Sequence, residues 1–174
     1  MAKKIVRILK TKAVVISEQE GRELIITGAG IGFKKKKGEN LDEALADKTY
    51  YLESVDDSRR LQEVVKEISE EYLEIVSRIV KTAREEGLKV RDSLYVTLTD
   101  HINSAVDRYR ENIALKNMMK LEIRKFYPKE YEIGLRAVQW IQEQNDENLG
   151  EDEAAFIAMH IVSAELGSGS NVDV

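Results

Sequence analysis

The chain has 174 residues, 43% of them hydrophobic, and a formal net charge of −5, which suits one medium domain or two small ones with real cores. It holds no cysteine, so disulfide frameworks and thiolate metal sites are excluded. No run reaches the roughly 20 apolar residues of a membrane span, and the start, Met1 to Lys10, is broken by Arg7 and Lys10, unlike a signal peptide. A soluble cytoplasmic protein with no membrane insertion is the default expectation. The net charge hides a division, because residues 1–38 carry ten Lys or Arg against three acidic residues. One end suits a polyanion, and the remainder is strongly acidic.

Three Val- and Ile-rich runs, Lys3 to Leu9, Lys12 to Ser17 and Arg22 to Thr27, are separated by breaks short enough for hairpins and predict an antiparallel meander. Gly28-Ala29-Gly30-Ile31-Gly32-Phe33 follows, three glycines that free the backbone to approach a ligand, ended by an aromatic. Lys34 to Lys37 is a run of four lysines, and a fourth strand is expected at Lys48 to Glu53. So small a sheet calls for dimerisation to cover its apolar face. The hydrophobic period then changes from two to about 3.6, which predicts an α+β protein: a β-sheet domain over 1–55, a linker at 56–57, a helical bundle over 58–166 and a disordered Gly/Ser-rich tail at 167–174.

Within the bundle, Ser58 is the expected cap of a helix carrying Leu61, Val64, Val65 and Ile68, and Ser69 that of the next, which Gly87 stops. A third helix starts at Asp92 or Ser93 and runs to about Tyr109. Leu115 to Phe126, Tyr131 to Gln144 and Glu151 to Leu166 are the remaining helices.

Two places carry chemistry. The cations Lys3, Lys4, Arg7, Lys10 and Lys12 beside the glycine turn, Phe33 and Lys34 suit a nucleic acid, with lysines on phosphates and the aromatic stacked on an unpaired base. A basic edge that merely discourages sheet aggregation would have the same composition. The only two histidines each lie on an apolar stripe: His101 with Leu94, Leu98 and Ala105, and His160 with Phe156 and Ala164. Such a ring is ordinarily a core residue with one satisfied hydrogen bond, but it can also serve as a titratable or nucleophilic switch. No Ser/His/Asp or Cys/His set is visible, and runs such as Glu151-Asp152-Glu153 read as solvated helix faces and first turns. No catalytic residue, metal ligand or cofactor is expected, and the chain is not expected to be an enzyme.

Gly28 to Lys35, Ser93 to Ile102 and Glu151 to Val162, in that order and spacing, resemble the BglG/SacY/LicT family of bacterial transcription antiterminators over roughly residues 3 to 166. The resemblance implies a co-antiterminator RNA-binding domain followed by the first phosphotransferase-system regulation domain. It further implies a homodimer that binds an RNA hairpin and prevents terminator formation, controlled by phosphoryl donors of the sugar phosphotransferase system, either HPr or a sugar permease enzyme II. By motif position, His101 and His160 would be phosphorylated, Asp100 would be a regulatory neighbour, Gly28, Gly30 and Phe33 would form the RNA-facing turn, and Arg7 matches a basic residue of the first strand; Lys10, Lys12 and Lys34 join the expected RNA-facing set on their charge and their place beside the turns. The chain departs from the family at Lys10-Thr11-Lys12, where an asparagine-rich turn is usual, at Ala29 and at Ala155. Members normally carry a second regulation domain, and 174 residues accommodate one. The alternative is a phosphorylatable interaction or dimerisation module without specific RNA binding.

Overall fold

The computed structural model describes residues 3–165. They form two compact units divided between Glu70 and Glu71.

In the first unit β1 (Ile5–Lys10), β2 (Ala13–Ser17), β3 (Glu23–Thr27) and β4 (Lys48–Tyr50) make an antiparallel meander in sequence order. Alternation along β2 and β3 sends Val14, Ile16, Leu24 and Ile26 to one face, where they bury Ile5, Ile31 and Leu41 with them. A register shift in β1 between Ile5 and Arg7 keeps Ile8 on that face and turns Arg7 to the other, opposite Val15. Residues 38–41 run along the outer edge of β1, with Ile5 donating to the Glu39 carbonyl at 2.9 Å and Leu41 to that of Lys3 at 2.7 Å. One sheet edge is thereby covered. Each strand expected from the sequence exists, although β4 stops at Tyr50.

The sequence boundary at 56–57 falls inside α1 (Val55–Glu67), which belongs to the first compact unit. Ser54, not Ser58, caps it: the Ser54 hydroxyl accepts from the Asp57 amide at 3.2 Å, and Asp56 and Asp57 complement the positive end of the helix. Ser58 is buried inside the helix and accepts from Gln62 at 3.3 Å. A helix that begins four residues earlier presents Leu61, Gln62 and Val65 inward, and Gln62 bonds to Arg7 of β1.

The second unit is helical, built from α2 (Glu70–Glu85) after its first residue, α3 (Ser93–Arg110), α4 (Lys120–Phe126), α5 (Pro128–Asn145) and α6 (Glu151–Ala164). Its core includes Leu73, Ile79, Leu94, Leu98, Ile133 and Ile157. The fourth helix starts five residues later than the period suggests, because Asn117 is used otherwise. Its amide donates to Asp152 at 3.0 Å, and its side-chain oxygen accepts from the Met119 amide at 2.8 Å. Pro128 opens α5, where its missing N–H costs nothing. The α5 face bearing buried Gly134 approaches the backbone of Ala154 in α6. The predicted tail at 167–174 and Leu166 lie outside the described residues. Among those residues, no helix is long and apolar enough to cross a membrane.

Candidate functional site

In the first unit, the glycine turn is stitched to the β1–β2 turn. Gly28 donates to the Lys12 carbonyl at 3.0 Å and Gly32 to that of Thr11 at 2.9 Å. Ile31 anchors the turn in the core, and the chain emerges at Phe33, 58% exposed, with the Lys34 ammonium 5.4 Å from its ring centroid. The turn thus presents an exposed aromatic with a cation over it and three further lysines behind it, a composition that suits base stacking beside phosphates.

The residues expected to face RNA are not alike in this setting. Gly30 is exposed at φ +76° and gives the turn its left-handed residue. Gly28 is buried against the Leu45 carbonyl, so its role is to permit that approach. Arg7 is committed within the protein, ion-paired to Glu23 and donating to Gln62 at 3.1 Å. Arg59 and Gln62 also bond Glu23, at 3.0 and 2.9 Å. Burial pushes the Glu23 carboxyl up, but the Gln62 and Arg7 bonds and the two guanidinium charges outweigh it and leave it below the ordinary range. Lys10 donates to the Ile68 carbonyl at 2.5 Å and pairs with Glu70 at 2.9 Å, while Lys12 lies 3.5 Å from the same carboxylate. Lys12, with its side chain 56% exposed, keeps its reach toward solvent.

In the second unit, α3 and α6 bring His101 and His160 together, ring centroids 4.6 Å apart and planes tilted by 46°. Phe156 stands 6.0 Å from the His101 ring. His101 Nε2 is hydrogen-bonded to Glu153 Oε1, and the other carboxylate oxygen faces Arg108 Nη2 at 3.9 Å. Asp100 is exposed. Glu153 was not anticipated. Its position in the first turn of α6 reads as a solvated acid, yet it is 8% exposed. The signal was its spacing, three residues before Phe156 and seven before His160, which places all three on one helical face.

Burial pushes the His160 ring down to about 4, and neighbouring His101 acts in the same direction, against the opposing charges of Glu153 and Asp100. His160 is therefore neutral near pH 7 and keeps a lone pair for nucleophilic attack. Because an unfolded histidine titrates near 6.5, the stability this group contributes is complete above that value and lost as pH falls toward about 4. Glu165 has the opposite sign: burial, then the bond and charge of Glu130, raise it to about 7, so its contribution is lost as pH rises through that value. Comparing His160→Gln with the parent cancels Glu165. Between pH 6.5 and 4 the parent's melting temperature should fall more steeply than the variant's, and parallel curves would contradict the assignment.

Comparison with known proteins adds to this geometry. A CAT RNA binding domain matches residues 3–59 and a PRD domain matches residues 73–164. The chain is similar to a beta-glucoside operon antiterminator of Dickeya chrysanthemi, 37% identical over 166 residues, covering 95% of this chain and 59% of that protein. It is similar also to the transcription antiterminator LicT of Bacillus subtilis (strain 168), 36% identical over 164 residues, covering 94% and 59% respectively. It thus spans about three fifths of the length of these curated relatives. Among solved structures, the crystal structure of GlcT CAT-PRDI superimposes with a TM-score of 0.76 at 25% identity, over 96% of this chain and all of that one.

Proposed function

Because the chain belongs to the PRD domain family and begins with a CAT RNA binding domain, we propose that it is an RNA-binding transcription antiterminator, acting in the cytoplasm as a homodimer. It binds an RNA hairpin and prevents a terminator from forming, and phosphotransferase-system donors control it by phosphorylating His101 and His160. The single observation that carries this reading is the exposed Phe33 on a turn bounded by lysines, held rigid by its bonds to the β1–β2 turn. The chain catalyses no reaction of its own here and acts as a phosphoryl acceptor.

Control follows from charge. A phosphoryl group brings about two negative charges to the histidine pair, beside the Glu153 carboxylate and near Asp100. In a half-buried site this repulsion favours an arrangement in which α3 and α6 pack differently. Helical units that pair differently between the two copies would then hold the RNA-binding units differently, a two-state shift.

A second reading, a phosphorylatable dimerisation module without specific RNA binding, draws on the ion pairs that occupy Arg7, Lys10 and Lys12. Titration against a bulged RNA hairpin, a fully paired RNA of equal length and DNA, at two salt concentrations, separates the two. Hairpin-selective binding is expected. Binding that ignores the nucleic acid's structure and collapses with salt would favour the module. Phe33→Ala should weaken hairpin binding by about 1–3 kcal/mol if a base stacks on the ring, and unchanged affinity in a folded variant would remove that role.

A further inference from the structure

The two histidines do not present their ring nitrogens alike. A carboxylate only accepts hydrogen bonds, so the contact between His101 Nε2 and Glu153 Oε1 places the proton of the neutral ring on Nε2 and leaves the lone pair on Nδ1. Glu153 is itself held in place. It is 8% exposed, and with one oxygen on His101 and the other facing Arg108, it cannot turn toward Nδ1 without giving up both partners. Nδ1 of His101 makes no hydrogen bond among the described residues. Nor is it fully sealed: the His101 side chain keeps 15% of its exposure, and the only fully sealed, unpartnered side-chain polar atom among the described residues is Thr99 Oγ1. His160, by contrast, forms no side-chain hydrogen bond there and packs ring against ring on His101.

We infer that Glu153 is a positioning residue that makes Nδ1, rather than Nε2, the phosphoryl-accepting atom of His101, an assignment that rests on reading His101 as a phosphorylation site. In the transfer, the Nδ1 lone pair forms a bond to phosphorus and the P–N bond of a phosphoramidate-type donor breaks. The electron pair stays on the donor nitrogen, which takes a proton from water. The ring becomes cationic as the bond forms, and its Nε2 proton remains against the Glu153 carboxylate, which offsets the new charge where it develops. Arg108 acts one step further out by holding the carboxylate's second oxygen.

The full chain labelled with 15N in its histidines provides the test. Ring-nitrogen NMR should show the Nε2–H tautomer at His101 in the parent. After treatment with potassium phosphoramidate, long-range 1H–31P couplings should place phosphorus on Nδ1, favoured about tenfold or more, as expected for a charge-assisted bond at Nε2. Glu153→Gln, whose carboxamide can donate or accept, should lose that preference, and Glu153→Asp should restore it. A role confined to stability would lower the melting temperature of Glu153→Gln and leave the product ratio unchanged, which would overturn the inference. So would the Nδ1–H tautomer in the parent, a result that needs no variant to fold. A parent product at Nε2 overturns this assignment and leaves phosphorylation of His101 standing, whereas no product at His101 overturns both.

Discussion

Alanine at Gly134 is expected to cost the helical unit about 2–3 kcal/mol, although alanine is the better helix former by about 1 kcal/mol. A Cβ there would sit 2.2 Å from the Ala154 carbonyl oxygen, 3.0 Å from its carbon and 3.2 Å from Ala154 Cα. All three are backbone atoms, so no side chain can rotate aside and α6 has to move as a body. Ala154 follows Glu153, so the same shift pulls the carboxylate away from His101. Denaturant unfolding followed by the single tryptophan, Trp140 on α5, should show a lower midpoint with an unchanged slope. A midpoint equal to or above the parent's would mean the two helices separate easily.

Gly28→Ala should damage the first unit comparably, by about 2–3 kcal/mol, and take RNA binding with it. Its Cβ would lie 1.9 Å from the Leu45 carbonyl oxygen and 3.3 Å from the Asp47 amide nitrogen. The turn carrying Phe33 would have to leave its bonds to Lys12 and Thr11. Gly30 supplies the contrast: nothing lies within 4 Å of a Cβ there, and only its φ of +76° penalises a side chain, by about 1–2 kcal/mol. Melting temperatures of the two variants should therefore rank Gly28→Ala below Gly30→Ala. The reverse order would contradict the close approach at Leu45.

The difference between those glycines marks where sequence reading stops. Three glycines in five residues announce a turn, but whether each serves conformation or close approach depends on Leu45, which arrives from a distant part of the chain. The strands were legible because short Val- and Ile-rich runs such as Val14 to Ile16 and Leu24 to Ile26, bounded by hairpin-length breaks, are a local property. Assigning α1 to the helical bundle failed for the opposite reason. Ser54 and Ser58 are equally good caps by residue type, and the bonds that tie α1 to the sheet, from Arg7 to Gln62 and from Arg59 to Glu23, span 55 and 36 residues. The start of α4 was misplaced because Asn117 bonds to Asp152, 35 residues on. Both histidines could be placed on apolar stripes from spacing alone. The spacing of Glu153 to Phe156 and His160 put it on the same face, unlike its exposed neighbour Glu151, but its bond to His101 depends on α3 being set against α6.

The affinity of the full chain for a bulged RNA hairpin, before and after phosphorylation with phosphoramidate, tests the account most directly, with a His101→Gln/His160→Gln variant treated in parallel. Coupling between the histidine pair and the Phe33 turn predicts a shift of about tenfold or more in the treated parent and none in the variant. Equal hairpin affinity with phosphoryl groups present on both histidines would contradict it.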